Sequence, residues 1–151
     1  MNKQKILRLL MILVGAGLAV FILIQLVPYG KTHSNPPVTG EPKWDSPQTR
    51  AMVKRACFDC HSNETVYPWY ASIAPSSWLL QFDIDRARAN MNFSEWSAGI
   101  DGTIMANDIE KVLRRDEMPP IQYRLIHPEA RLSDAEKTAL INGLRASLAK
   151  K

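Results

Sequence analysis

The pattern of apolar and polar positions opens with one long apolar stretch. From Leu9 to Val27 the chain carries only apolar residues and glycines, apart from Gln25. This length is close to the ~20 residues that cross a bilayer as a helix, and no polar face exists that would suit a buried core helix. Lys3 and Lys5 precede the stretch, so the positive-inside rule keeps the N-terminus in the cytoplasm. We therefore predict that residues 1–27 are a single-pass anchor in the bacterial inner membrane, with the rest of the chain on the periplasmic side.

A cleaved signal peptide is the alternative interpretation of this stretch. Such a peptide has an apolar region of about 7–15 residues that ends in a small-x-small cleavage site. The apolar stretch here is longer, and the sequence Gln25-Leu26-Val27-Pro28-Tyr29 is a poor cleavage site. The pattern favours an uncleaved anchor.

Residues 28–46 have the composition of a semi-extended tether. His33 lies within this segment and is expected to be solvated. The prolines and glycines of the segment are Pro28, Gly30, Pro36, Pro37, Gly40 and Pro42.

Residues 47–151 are predicted to form one folded domain of helices. Ser46-Pro47 supplies an N-cap and a first-turn proline, and Ser133 with Glu136 forms a capping box for the last helix. Between them, apolar stripes predict helices over 76–91 and 103–115. No convincing β-alternation is present, so the predicted fold class is all-α.

The regions between these helices are predicted to be less regular. Residues 62–75 and 116–128 contain several prolines and are expected to be loops, while Ser94 is expected to cap a short helix. Two sets of side chains are expected to point inward. On the helix 103–115 they are Ile104, Met105, Ile109, Val112 and Leu113, and among the aromatic residues they are Tyr67, Trp69, Tyr70, Trp78 and Trp96.

The distribution of charge argues against nucleic acid as a partner. The formal net charge is +4, but Lys3, Lys5 and Arg8 account for three of the 19 Lys and Arg residues. The remaining basic residues nearly balance the 15 Asp and Glu residues. A nucleic-acid-binding domain needs a basic patch on its folded surface, whereas the excess here sits at the N-terminus.

The two cysteines of the chain lie in the segment Cys57-Phe58-Asp59-Cys60-His61. A Cys-x-x-Cys turn separates two thiols by the distance between the two vinyl groups of one porphyrin, and the next histidine is then carried under the ring. We therefore predict one haem c per chain, bound covalently through Cys57 and Cys60, with His61 as an iron ligand.

Other interpretations of this segment remain open. A structural zinc site would need His33, His61 and His127 to complete the ligand set. A thiol–disulfide centre is typical of a βαβ setting rather than of a helical domain. The remaining possibility is that the segment has no special function and that two buried thiols stand beside a histidine by chance.

Met118 is the predicted sixth ligand of the iron. It precedes Pro119 and Pro120, which exclude helical geometry and stiffen the segment, and Met/His ligation suits electron transfer. His127 before Pro128 is the second choice. The other methionines at helical core spacing are more typical of packing; they are Met52, Met91 and Met105.

The chain resembles the bacterial haem-binding domain family from Cys57 to the last helix. The matching residues are Cys57–His61, Asn63, Tyr67-Pro68-Trp69-Tyr70, Pro75, Trp78-Leu79, Asn92-Phe93-Ser94-Glu95-Trp96, Met118-Pro119-Pro120, Tyr123, His127-Pro128, Leu132-Ser133 and Glu136. The resemblance implies a small exported domain that binds haem through Cys57, Cys60 and His61. Members of the family often have a His-Asp-Val sequence where this chain has Phe82-Asp83-Ile84. The absence of that histidine here favours Met118.

The sequence thus predicts a membrane-anchored cytochrome c-like domain that transfers electrons to or from a redox partner that the sequence does not name. The protein is not expected to be an enzyme, although peroxidase and thiol oxidoreductase chemistry stay open. A haem-based sensor or small-ligand binder is the alternative, and it requires a sixth position that is open or easily displaced.

Overall fold

The computed structural model describes residues 2–97 and 101–148. Within these ranges the regular structure is helical, with no strand and one isolated bridge between Gly40 and Glu95. This confirms the predicted all-α class. The helices are α1 (Lys3–Ile24), α2 (Pro47–Ala56), α3 (Phe58–His61), α4 (Ser76–Asn90), α5 (Gly102–Arg114), α6 (Ile121–Ile126) and α7 (Asp134–Leu148), with 3₁₀ turns at Trp69–Ser72 and Pro128–Ala130.

The described chain divides into two compact units. The first contains the residues up to Ser34 together with Tyr67–Asp83. The second contains Asn35–Val66 and the described residues from Ile84 onward. Every residue predicted for the haem site belongs to the second unit.

Helix α1 dominates the first unit. Its first turn is capped by Asn2, whose side chain accepts a hydrogen bond from the backbone N–H of Gln4, and none of its residues is buried. By length and composition α1 is suited to cross a membrane, and its place near the N-terminus suits a signal sequence as well.

Two sequence predictions for the first unit are wrong. His33 is half-buried rather than solvated, because its ring stacks on that of Tyr67 at a centroid distance of 4.5 Å. Trp69 was expected in a core but is 79% exposed. Ala71 and Ala74 are the buried apolar residues of this segment. In an irregular segment the sequence has no regular period that shows which side chains point inward. For this reason the prediction that Trp69 is buried is wrong.

The start of the second unit follows its local sequence signals. The Ser46 side chain accepts a hydrogen bond from the Thr49 backbone N–H, and Pro47 occupies the first turn of α2. Helix α2 ends at Ala56 because Cys57 leaves helical geometry, at φ −127°. A new helix, α3, begins at the next residue, Phe58.

An aromatic cluster forms the centre of the second unit. Phe58 and Phe93 are both buried and stack at a centroid distance of 5.9 Å. Trp44 lies 5.6 Å from the ring of Phe93. The remaining buried members of the core come from α2, α5 and α7 and are Val53, Ala106, Leu113, Leu140, Ile141, Leu144 and Leu148.

Residues 35–46 are joined to this core by backbone and side-chain hydrogen bonds as well as by the Trp44 ring. The side-chain amide of Asn63 donates to the Pro37 carbonyl at 2.9 Å. The Thr39 N–H donates to the Ser94 carbonyl at 2.9 Å. Glu41 pairs with Arg50 at 2.6 Å, and this hydrogen bond lowers the pKa of Glu41.

The predicted helices of the second unit are confirmed, with corrections in detail. The capping box forms as predicted: the Ser133 N–H donates to Glu136 at 2.8 Å, and the Glu136 N–H donates to the Ser133 hydroxyl. On α5, Ile104 is 61% exposed rather than inward, and the smaller Ala106 is buried instead. The buried face of α5 therefore includes Ala106 and Leu113 and leaves out Ile104.

Two further predictions about irregular segments are wrong. Ser94 caps no helix among the described residues; its hydroxyl accepts a hydrogen bond from the Asn63 N–H instead. The predicted loop 116–128 contains the short helix α6, which starts directly after Pro120. A proline is tolerated just before a helix because it blocks none of the hydrogen bonds that the helix makes.

Helices α2 and α7 approach closely at Gly143. A Cβ atom on Gly143 would lie 2.1 Å from the Thr49 hydroxyl oxygen and 3.0 Å from the Thr49 Cβ. Thr49 is itself buried. The absence of a side chain at position 143 therefore sets how near the two helices can pack.

We expect Gly143→Ala to destabilise the protein. Overpacking costs about 1–3 kcal/mol and outweighs the ~1 kcal/mol gain in helix propensity. The measurement is the free energy of unfolding of the full chain in mild detergent, from urea titration followed by circular dichroism. Asn142→Ala changes the adjacent exposed residue of α7 and should stabilise by a few tenths of a kcal/mol.

The double variant Gly143→Ala with Thr49→Ala tests the contact itself. It should be more stable than the sum of the two single effects, because Thr49→Ala removes the atoms that clash. Strict additivity of the two effects would contradict the contact.

Candidate functional site

The break between α2 and α3 places the three predicted attachment residues on one turn. The N–H of His61 donates to the Cys57 carbonyl at 2.8 Å, and the N–H of Cys60 donates to the same carbonyl at 3.2 Å. Neither cysteine is in a disulfide, and both are half-buried. The structure therefore brings Cys57, Cys60 and His61 together within a single helical turn.

The environment of Cys57 differs from that of a cysteine that exchanges disulfides. Burial, followed by the charge of the Cys60 thiolate, raises the pKa of Cys57 to about 12. Cysteines that exchange disulfides instead have lowered pKa values, since the thiolate is the nucleophile. The helical setting of the motif agrees with this, because redox Cys-x-x-Cys pairs are typical of a βαβ unit.

The imidazole of His61 is held by backbone hydrogen bonds with Met91 and Ala87. Its Nδ1 lies 3.1 Å from the backbone carbonyl of Met91. A carbonyl can only accept, so Nδ1 carries the proton and the lone pair of Nε2 is left for another partner. Metal-binding histidines are oriented in this way. Burial lowers the pKa of His61, which favours the neutral ring.

A buried amide network fixes the segment that holds His61. The Phe93 N–H donates to the His61 carbonyl at 2.8 Å. The side chain of Asn92 donates to that of Asn63 at 2.8 Å, and the Asn63 N–H donates to the Ser94 hydroxyl at 3.0 Å. Because these groups satisfy one another inside the core, the Met91 carbonyl keeps its place beside the imidazole.

Asp59, between the two cysteines, joins the motif to two later segments. Its backbone carbonyl accepts from the Thr65 hydroxyl at 2.7 Å, and its carboxylate accepts from the Val66 N–H at 3.0 Å. The other carboxylate oxygen accepts from the Tyr123 hydroxyl at 2.5 Å. Burial and the adjacent carboxylate raise the pKa of Tyr123, which keeps the phenol protonated. Helix α6 is thereby attached to the cysteine motif.

Met118 lies three residues before α6, in the segment that Tyr123 ties to the motif. It is 39% exposed, and its N–H points to the Val112 carbonyl at 3.4 Å. The three competing methionines instead pack against the hydrophobic core, as their spacing predicts; they are Met52, Met91 and Met105. Met118 is therefore the methionine of this set that is not used in core packing.

His127, the other candidate ligand, has partners of its own. Its ring stacks on that of Tyr123 at 4.2 Å, and its Nδ1 lies 2.8 Å from a Glu129 carboxylate oxygen. Through Tyr123 it belongs to the same part of the second unit as Met118. The two candidate ligands thus flank α6 in the sequence, with Met118 before the helix and His127 after it.

The basic side chains of Lys54, Arg55 and Arg88 have partners within the second unit. Arg55 pairs with Glu136 at 2.6 Å, and Lys54 lies 3.6 Å from Glu64. Arg88 donates to the Ser62 carbonyl at 2.9 Å. Their ordinary role is to join helices and loops of the second unit.

The Asp59–Tyr123 pair and the Asn63–Asn92 pair were not predicted as parts of the site. The first pair joins residues 64 positions apart and the second joins residues 29 positions apart. No local periodicity reports such contacts. The sequence indicates only that Asp59 belongs to the site, because it lies between the two cysteines.

The residues of the motif fit the donor set of haem c. Within residues 2–97 and 101–148, no group of three or more His, Cys, Asp or Glu side chains converges as a metal chelate. A structural zinc site needs four such ligands, whereas haem c needs two thiols and one oriented imidazole. Cys57, Cys60 and His61 meet the second requirement.

Comparison with known proteins agrees with this chemistry. The Haem-binding domain family model matches residues 19–146 of the chain. The chain is also similar to cytochrome c peroxidase Ccp of Escherichia coli (strain K12), at 24% identity over 95 residues. That match covers 60% of this chain and 20% of the relative, so the chain spans about a fifth of the relative's length.

No solved structure matches the chain. The family model nevertheless covers the motif, the amide network and α6 together. On this match over most of its length, the chain belongs to the Haem-binding domain family.

Proposed function

We propose that the protein is a membrane-anchored mono-haem c-type cytochrome that transfers electrons. The observation that carries the proposal is the hydrogen bond from His61 Nδ1 to the Met91 carbonyl, beside two cysteines on the same turn that form no disulfide. It leaves Nε2 available to iron, and the family match identifies haem as the group bound. Bound haem supplies reversible one-electron chemistry, and the protein supplies its orientation and surroundings.

Each residue of the site has a definite role in this proposal. Cys57 and Cys60 would hold one haem through two thioethers, and His61 would bind its iron. Met118 would supply the second protein ligand to the iron, and such a thioether would raise the reduction potential into a range that suits electron transfer. The hydrogen bond between Tyr123 and Asp59 supports the Met118 segment near the motif.

The anchor and the location follow from helix α1. Its exposed apolar surface suits a lipid environment, and Lys3 and Lys5 favour a cytoplasmic N-terminus. The haem domain then lies on the periplasmic side of the inner membrane. Its redox partner would be a protein, since the excess of basic residues lies at the N-terminus and not on the folded domain.

Ligand binding is the second candidate function, and the exposure of Met118 favours it. A half-exposed ligand on a segment with few buried side chains is easier to displace than a core residue. A displaced sixth position would admit a small molecule, as in a haem sensor. The name of the Escherichia coli relative points to peroxidase chemistry, which needs the same opening.

The first prediction concerns covalent attachment. The full chain, expressed with a haem-maturation system, should have an intact mass greater than that of the polypeptide by one haem. Cys57→Ser and Cys60→Ser should each retain a single thioether and a shifted pyridine haemochrome band. A mass equal to that of the bare chain would contradict the proposal.

The second prediction concerns the anchor. The protein should stay with the inner membrane after carbonate extraction, and protease added to spheroplasts should digest residues 47–151. Replacing Leu13 and Leu18 with Arg should weaken membrane retention, because each central charge costs about 2.5–3.5 kcal/mol on insertion. A soluble protein whose N-terminus lies beyond Val27 would show instead that the segment is a cleaved signal peptide.

The third prediction concerns the sixth ligand. Met118→Leu should keep the haem attached but abolish the near-infrared sulfur-to-iron band of the oxidised protein. It should also lower the reduction potential, by part of the ~0.8 V that axial ligands span, and admit carbon monoxide to the reduced form. Visible and near-infrared spectra with a redox titration measure all three effects.

Met105→Leu is the matched control for this variant. It makes the same substitution at a methionine that packs against the core, and it should leave the spectrum unchanged. If Met118→Leu also leaves the spectrum unchanged while His127→Ala alters it, the ligation is His/His. Ready binding of carbon monoxide by the unaltered protein would favour the ligand-binding function.

A further inference from the structure

The segment from Tyr67 to Phe82 is uncharged along its whole length. Several of its apolar side chains are exposed: Trp69 is 79% exposed and Leu79 is 54% exposed. In the first unit, this segment packs with the residues that follow α1, among which Leu26 is 77% exposed. Soluble surfaces seldom combine large exposed apolar side chains with a complete lack of charge.

Gln25 fastens this segment to the end of α1. Its side-chain amide donates to the Ala74 carbonyl at 2.9 Å, and its side-chain oxygen accepts from the Ala74 N–H at 2.9 Å. Gln25 is the C-cap of α1 and the one polar residue of the apolar stretch. The two hydrogen bonds place the backbone of Ala74 at the level where α1 ends.

Further contacts hold the segment along residues 30–34. His33 Nε2 lies 3.1 Å from the Ala71 carbonyl, and the Tyr67 hydroxyl donates to the Ser34 carbonyl at 3.1 Å. At Gly30, with φ +77°, a Cβ would lie 2.2 Å from the Ser77 carbonyl oxygen. The segment is therefore held at several points against the chain that leaves α1.

The chemistry of this region matches that of a membrane–water interface. Tryptophan is enriched where headgroups meet hydrocarbon, since its ring is apolar and its N–H is polar. Lys31 is the single formally charged residue within 26–34 and 67–82, and a lysine beside a membrane is attracted to anionic headgroups. The exposed apolar residues thus lie where α1, as an anchor, would enter the headgroup layer.

We propose that Leu26, Trp69 and Leu79 form an interfacial surface that contacts the lipid headgroup region of the outer leaflet. This inference rests on the proposed role of α1 as a membrane anchor. On this proposal, side chains outside α1 also contact the bilayer. The residues that follow α1 are therefore held at the membrane surface and do not act as a flexible linker. The partner is the phospholipid bilayer itself.

A protein surface is the competing partner for these residues. Two features favour lipid as the partner. The segment 67–82 has no charged residue, and its attachment to the end of α1 would hold it at the depth of the headgroups. A protein partner or a second copy of this chain would not require either feature.

The test places a nitroxide at Ser72→Cys in the full-length, haem-loaded protein. Ser72 is exposed and lies in the same 3₁₀ turn as Trp69. Vesicles of phosphatidylcholine with a minority of phosphatidylglycerol provide the bilayer. Power-saturation paramagnetic resonance then compares collisions with oxygen, which concentrates in lipid, and with a water-soluble nickel chelate. Asn142→Cys, exposed on α7, is the matched control.

At Ser72 we expect oxygen collisions to exceed nickel-chelate collisions, with the reverse order at Asn142. Adding Trp69→Ser, which removes an exposed ring and no core contact, should shift the Ser72 ratio toward water. A water-like ratio at Ser72 in vesicle-bound protein would overturn this inference and leave the anchor intact. Shielding from both reagents would indicate a protein contact and overturn it as well. Failure of the protein to enter vesicles would instead refute the anchor.

Discussion

The stacking of Phe58 on Phe93 is the contact on which the site depends. Phe58 lies inside the cysteine motif, and its buried ring fixes α3 against the core. Phe93 lies two residues after Met91, so the same contact fixes the carbonyl that orients His61. One hydrophobic interaction therefore positions both the imidazole and its hydrogen-bond acceptor. The polar network around Asn63 could not be satisfied in the core without it, since its partners flank Phe93.

The parts of the structure that the sequence predicted correctly are those with local causes. Ser46 and Pro47 start α2, and Ser133 with Glu136 starts α7, because a helix end leaves N–H groups that a nearby side chain must satisfy. The turn that carries Cys57 to His61 is equally local. The all-α class follows from the helical periodicity of the long segments.

The parts that the sequence missed depend on contacts between distant residues. Tyr123 and Asp59 are hydrogen-bonded although they lie 64 positions apart in the sequence, and nothing near either residue in the sequence indicates the other. Helix α6 was missed because prolines before a helix and prolines in a loop look alike in sequence. Trp69 and Ile104 were placed inward from residue type and spacing, but neighbouring small residues fill those positions instead.

The attachment of α6 has a consequence for how the second unit opens. Arg88 joins α4 to the loop after the motif, through the Ser62 carbonyl and the Thr65 hydroxyl at 3.0 Å, so this loop cannot open without releasing α4. Helix α6 has no buried residue and is fastened to the motif through the Tyr123 hydroxyl. Local unfolding begins where few apolar contacts are lost. Opening of the segment around Met118 and α6 would therefore expose less apolar surface than opening of the turn that carries the thiols and His61.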